Sequence, residues 1–511
     1  MDKPIGILIA ALLVVGGIVA LRVVPTAPPD KTDTNANTHT PDTKVVGTNK
    51  PTEPSGTTTT TTKTPPAQPP AQTPAQTPAQ PPASKPKPVA LSANDVSILF
   101  PPPQTKDDMK TVISIGELGG VFPDAAFANV VALANSPAGS VRVSDSKRRQ
   151  IGLDDEFKTD KTKWHIAGIR IDPSAPGVSD AIRKQFGTSP QIRLILNPVT
   201  VDDQPTVHDF AIHLIYSYPV GVDEPLQPGC LKRAKPNTAA FKAIVADFTK
   251  LKVDLSTGQL GGTTVSTDGK PLGVHPGLAN AATRMAVRDR IKAVLLDHLA
   301  KGKLVAMAVM GIENGFEPWI FLALQLDPAT GKYNPVPAPS AIQDLTALQS
   351  KDASKLLFSQ MLSFVDQIPV LPEPANNNQS AMTCQFYGVP KEARAGVSTL
   401  ELFGKSPKKD RVRPVVDVIA DPVKSHFFNT DCISCHTETH REITLLNTKS
   451  FAGLDDKVLP ADDWNVRNFG WFRTNKNANP VVATATRRTE TETAEVLSCI
   501  NDLDACFARV P

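Results

Sequence analysis

Residues 22–90 cannot build a packed core, and this confines everything that folds to the rest of the chain. The stretch is crowded with Pro and Thr and nearly lacks large apolar residues. A tetrad recurs in it as Pro65-Pro66-Ala67-Gln68, Pro69-Pro70-Ala71-Gln72, Thr73-Pro74-Ala75-Gln76, Thr77-Pro78-Ala79-Gln80 and Pro81-Pro82-Ala83-Ser84. Such a segment buries too little surface to offset the entropy of ordering it, so a disordered linker is expected. Fully extended it reaches about 200 Å, and as a loose coil about 45–50 Å. The remaining residues, about 420 of them, suffice for two domains with cores of their own.

Ahead of the linker, Ile5 to Leu21 is an unbroken run of apolar residues and glycine between Lys3 and Arg22. At about 1.5 Å per residue, ~17 residues sit at the lower limit for crossing a bilayer. The sequence Ala20-Leu21-Arg22-Val23-Val24-Pro25 lacks the small-residue pattern of a cleavage site. An uncleaved signal-anchor over residues 1–21 is expected, with a cleaved signal peptide as the alternative. The net charge of +3 and the lack of a basic stripe interleaved with aromatics give no reason to expect nucleic-acid binding. The basic cluster Lys405 to Arg413 reads as a solvated loop before a strand.

An aperiodic stretch from Pro369 to Ala381 divides the body into 91–375 and 376–511. In the first part, 166–171 and 191–196 have strand composition. Asp209 to Tyr218 alternates, with Phe210, Ile212, Leu214 and Tyr216 on one face and Ala211, His213, Ile215 and Ser217 on the other. Thr238 to Leu251 and Ala279 to Ala300 have helical spacing; in the second, Met285, Ile291, Val294, Leu295 and Leu299 fall opposite Arg284, Arg288 and Lys292. Lys303 to Ile312 and Trp319 to Leu326 form a hairpin about Glu313-Asn314-Gly315. The expected class is α+β, an antiparallel sheet covered by helices. No nucleophile elbow, P-loop or zinc-protease helix occurs here. His208 and His213 fall on opposite faces of a strand, which argues against a shared metal. His298 is expected near helix-terminal carbonyls, and Met307 and Met310 in the core.

The chemistry is concentrated in Cys432-Ile433-Ser434-Cys435-His436. This is the C-x-x-C-H spacing of covalent haem attachment, in which two thiols add to porphyrin vinyl groups and the next imidazole ligates iron. Downstream come Trp464-Asn465-Val466-Arg467-Asn468-Phe469-Gly470-Trp471-Phe472 and a closing helical segment, Thr493 to Leu503. That order resembles the c-type cytochromes: haem motif, aromatic-bearing segment, C-terminal helix. The chain is also similar to exported bacterial proteins with a lone C-x-x-C-H. The resemblance implies one covalent haem c on Cys432 and Cys435, His436 as proximal ligand, and a mainly helical cytochrome c-like domain over 376–511. It further implies a body in the periplasm, a single-pass inner-membrane tether and a redox partner protein in the periplasm or membrane. Electron transfer is the expected role, more than catalysis.

No Met follows Met382, so the downstream Met that small cytochromes c supply is missing. The sixth ligand is open between His426, Met382, a residue of the first part, and none. An open position would suit a haem enzyme or small-ligand sensor. A third possibility is a non-redox binding module whose Cys432, Cys435, His426 and His440 hold zinc or nothing, although the histidines flank the cysteines instead of pairing after them. His440 is expected to be solvent-exposed or near a propionate. Phe427, Phe428, Trp464, Phe469, Trp471 and Phe472 suit either a core or a haem wall. Cys230, Cys384, Cys499 and Cys506 allow three disulfide pairings. Cys499 and Cys506 can bridge only if the last helix stops between them, for which Asn501-Asp502 is the candidate break.

Overall fold

The computed structural model describes residues 89–144, 147–175, 177, 180–227, 230–313, 316–336, 409–423, 432–460, 465, 467–475 and 478–509. The anchor, nearly all of the linker and the break at 369–381 lie outside them, as do His426, Met382, Cys384, Phe427, Phe428 and Trp464. Among the described residues, no single helix is long and apolar enough to cross a membrane.

An antiparallel sheet organises the chain. Its strands are β1 (Ser97–Leu99), β2 (Trp164–Asp172), β3 (Gln191–Thr200), β4 (Phe210–Ser217), β5 (Lys303–Glu313), β6 (Phe316–Leu326) and β7 (Tyr333–Val336), hydrogen-bonded in that order. Thr206–Val207 adds to β3 as an eighth. Each strand pairs with its sequence neighbour, so the α+β expectation holds. Glu313 pairs with Phe316, closing the expected hairpin between β5 and β6.

The alternation in β4 decides which face is the inner one. Phe210, Ile212, Leu214 and Tyr216 are all buried and join Ile192, Leu194, Met307 and Val309 in the main core. Helices α1 (Asp124–Asn135), α2 (Thr238–Ser256) and α3 (Arg284–Leu299) cover this face with Phe127, Phe248, Ile291 and Leu295. Asn237 starts α2 by accepting a hydrogen bond from the Ala240 amide at 3.0 Å, satisfying one of the orphan donors of the first turn. In α3 the expected faces are partly reversed. Met285 is exposed, whereas Arg288 is buried because its guanidinium donates to the Val112 carbonyl at 3.1 Å and pairs with Glu117. His298 bonds Asp247 at 2.8 Å.

The last hundred residues cover the outer face. They form α4 (Lys409–Ala420), α5 (Cys432–Leu446), the hairpin β8 (Phe469–Asn475) and β9 (Ala478–Ala485), α6 (Arg487–Ile500) and α7 (Leu503–Ala508). Lys409 to Arg413 thus opens a helix and is not a loop before a strand. Phe469 packs with Leu99, Ile195 and Leu454 in a second apolar cluster. A Cβ on Gly168 would lie 2.7 Å from the Phe469 ring, so glycine permits this approach of hairpin to sheet. Trp471 donates its indole N–H to the Phe100 carbonyl at 2.8 Å. Thr493 and Ser97 share a hydrogen bond of 2.8 Å between their hydroxyls, and Glu492 pairs with Arg170. The described parts of the segments 91–375 and 376–511 are therefore packed into each other, and 376–511 contributes a β-hairpin besides its helices.

Helix α6 ends at Ile500, and α7 begins after Asp502, whose side chain accepts from the Ala505 amide. That break brings Cys499 and Cys506 to a Cα–Cα distance of 5.1 Å, and they form a disulfide.

Candidate functional site

Cys432 is the first residue of α5, so the C-x-x-C-H motif occupies the opening turn of a helix. Cys435 is half-buried and carries a thiol. His436 is half-buried beside it, its ring centroid 5.0 Å from that of Phe321 on β6 and tilted by 56°. The motif thus rests on the outer face of the sheet. Thr437, Glu438, Thr439 and His440 are buried, so of the two places expected for His440, solvent or the neighbourhood of a propionate, the first does not hold.

Buried ionic contacts fix α5. Glu442 pairs with Arg413 of α4 and, at 2.7 Å, with Arg487 of α6. Arg487 also reaches Asp417 at 2.6 Å. The Glu438 carboxylate accepts from the Arg488 amide at 2.9 Å and from the Thr439 hydroxyl, while burial pushes its pKa up. Burial also works against the charge of the Arg488 guanidinium, but Glu492 and the nearby Cys435 and Glu438 outweigh it and raise its pKa. These contacts join α4, α5 and α6 through the buried Glu442 carboxylate, which is left uncompensated only if both Arg413 and Arg487 are lost.

The outer face of the sheet presents Arg170, Arg193 and His213, the first paired with Glu492 of α6. Arg170 stands opposite Arg193, and His213 is directly opposite Ala308, which in turn is opposite Ala323. One step along, Ala306 lies between Ile215 and Gln325. On the other side of the His213 row, toward the Phe321–His436 contact, the buried Met310 stands between Ala211 and Phe321. Burial holds the His213 imidazole well below the usual histidine range, and the charges of Arg193, His436 and Arg467 push it the same way, so it is neutral at pH 7. Arg467 is itself buried, which lowers its guanidinium to about 10 despite the opposing charge of Asp209. Burial, then Arg170, lower the Arg193 guanidinium, against Glu492 and Asp172. Arg170 and Arg488 are paired with Glu492, whose carboxyl they hold low, and Asp209 opposes the loss of charge on Arg467.

The polar-looking position of His213 concealed its neighbours, Arg193, His436 and Arg467. The readable signal is its company: Ala306, Ala308 and Ala323 take outward positions where a water-facing strand usually carries polar side chains. His208 is elsewhere, bonded to Thr200 at 2.9 Å and stacked on Phe157, which agrees with the expectation that it shares no metal with His213. Among the described residues, Asp247, Asp297 and His298 form the one cluster with metal-ligand spacing, and their carboxylates already face Arg290 and Lys301. Phe469, Trp471 and Phe472 are buried, the first two in the packing of the hairpin on the sheet. No protein-family model, no curated protein and no solved structure matches this chain.

Proposed function

We propose that this chain is a membrane-tethered periplasmic c-type cytochrome, with one haem c held covalently by Cys432 and Cys435 and ligated by His436. Its role on this reading is electron transfer to or from a partner protein in the periplasm or membrane. The observation that carries the reading is the placement of the intact C-x-x-C-H motif on the first turn of α5, with His436 over the sheet. The donor set fits the group: Cys432 and Cys435 stand three residues apart at the opening of the helix, and Cys435 and His436 are only half-buried. Phe321 sets the tilt of the His436 ring, and the Glu442 pairs keep α5 from shifting when charge at the site changes. When bound, the haem supplies a one-electron couple whose potential follows axial ligation, burial and hydrogen bonding.

The test is expression of the full chain in a bacterium that attaches haem in its periplasm. The expected product keeps haem stain after denaturing electrophoresis, and Cys432→Ala with Cys435→Ala loses it. A colourless product, or stoichiometric zinc, would overturn the proposal.

A further inference from the structure

We propose that the Cys499–Cys506 disulfide is a reversible redox site, opened by a dithiol, and that its state is felt at Leu91, beside the end of the expected linker. The inference does not depend on the haem. Two observations at one corner of the fold carry it. The first is the setting of one sulfur. The buried Arg183, on the helix Asp180–Phe186, donates from Nη2 to the Cys506 Sγ at 3.7 Å and from Nη1 to the Cys506 carbonyl at 3.3 Å. A guanidinium beside the sulfur favours the thiolate over the bonded form, because the thiolate carries the charge it attracts. A disulfide opens faster when the departing thiol is the more acidic one. Cys506 is therefore the leaving sulfur, and Cys499 is the one attacked.

The second observation is what the bridged loop holds. Asn501 lies between the two cysteines and binds Leu91 twice, accepting from its amide at 2.9 Å and donating to its carbonyl at 3.3 Å. A neighbouring strand would supply the same two bonds. They seat the Leu91 side chain in the main core. Asn501 is the C-cap of α6 and Asp502 the N-cap of α7, so their placement follows the junction that the bridge fixes. Apart from the bridge, α7 is lightly held. It has six residues, too few for a helix stable by itself. Its Asp504 pairs with Lys242 at an exposed site, and its Phe507 meets Phe241 edge-on at 6.4 Å. Both sulfurs are buried, so a reductant reaches them when α7 opens locally. The residues after Leu91 have other anchors. Asn94 donates to the Pro271 carbonyl at 2.9 Å, and Asp95 accepts from the Thr267 hydroxyl at 2.9 Å. Opening the bridge thus loosens Leu91 and leaves Asn94 and Asp95 in place.

In the reaction, one thiolate of the dithiol attacks the Cys499 Sγ, the S–S bond breaks, and Cys506 leaves as a thiolate toward Arg183. The second thiolate of the dithiol then attacks its own partner sulfur in the mixed disulfide and releases Cys499. The dithiol is oxidised to a disulfide, two electrons pass to the protein, and the two protons pass to the cysteines or to solvent.

The experiment treats the full chain with dithiothreitol and then an alkylating reagent. The tryptic peptide Thr489–Arg509 carries both cysteines, and its mass reports the fraction opened. Hydrogen exchange reports the Leu91 amide. Leu91 should exchange several-fold faster in the opened protein, while the Asp95 amide and β4 keep their protection. Asn501→Ala should give the same fast exchange at Leu91 with the bridge intact. Arg183→Met should slow opening several-fold, and Arg183→Lys, which keeps the cation and guards against a folding defect, should restore most of the rate. Cys499→Ser with Cys506→Ser should show the fast exchange without reductant. The inference is overturned if Leu91 exchanges alike in both states, if β4 loses protection together with Leu91, or if Arg183→Met opens as fast as the wild type.

Discussion

The indole N–H of Trp471 reaches across 371 residues of sequence to the carbonyl of Phe100, at 2.8 Å and fully buried. It ties the C-terminal hairpin to the segment just after the first strand. Trp471→Phe keeps most of the ring but removes the donor, leaving a buried acceptor short of a partner. A loss of about 1–3 kcal/mol is expected in denaturant unfolding. A change within 0.3 kcal/mol would mean the contact contributes nothing net.

Gly168 tests the same docking from the other side. In Gly168→Ala the added methyl meets the Phe469 ring at 2.7 Å, and the ring belongs to a packed cluster. Overpacking of this kind costs about 1–3 kcal/mol. The variant should melt several degrees lower, and Gly168→Ala with Phe469→Leu should recover part of the loss.

The Cys499–Cys506 bridge closes a loop with a sequence separation of 7. The chain-entropy estimate for so short a loop is about 2.5 kcal/mol. Replacing both cysteines by Ala should lower stability by about that amount without affecting haem stain. An effect on haem stain would show that the bridge shapes the site.

Acid should unfold the protein in two limbs. Burial holds His165 at about 4, against the Lys163 carbonyl and the Glu117 charge that favour its protonation. The unfolded chain therefore binds this proton first, and stability falls as pH drops from about 6.5 toward 4. Burial raises the Glu492 carboxyl, but Arg488, Arg170 and Arg193 outweigh it and hold it at about 2. Its contribution is present above the unfolded value of about 4.3 and is lost as pH falls through 2. Glu438, pushed up by burial, titrates above its unfolded value in the opposite sense and so blunts the first limb. His165→Gln should make the upper limb shallower, leaving the shares of the buried His213 and His275, and Glu492→Gln should flatten the lower one, read as unfolding midpoints against pH.

The tether is tested by fractionation. Full-length protein is expected with the membranes, and protein exported without residues 1–21 in the soluble periplasmic fraction. Equal partition of both forms would remove the anchor from the proposal.

Periodicity exposed the inner face of the sheet because every second residue of β4 is large and apolar, and one hydrophobic core needs no long-range information to be seen. It exposed the helices less well. Arg288 sits on the buried face of α3 because Val112 and Glu117, more than 170 positions earlier, satisfy it. The outer face was harder still. Arg170, Arg193 and His213 look like solvent-facing residues until Glu492 and α5 are laid over them, and those partners are hundreds of residues away. Conversely, Cys432, Cys435 and His436 were legible at once, because their chemistry depends on spacing within a single turn.

Arg170 is translated 322 residues before Glu492, its partner. As the chain emerges in order, the sheet must wait with one side bare until the final helices arrive. Assembly is therefore dominated by distant contacts, which makes it slow. The interval before closure is also when a chaperone, or the machinery that fastens a prosthetic group, has its best access to that surface.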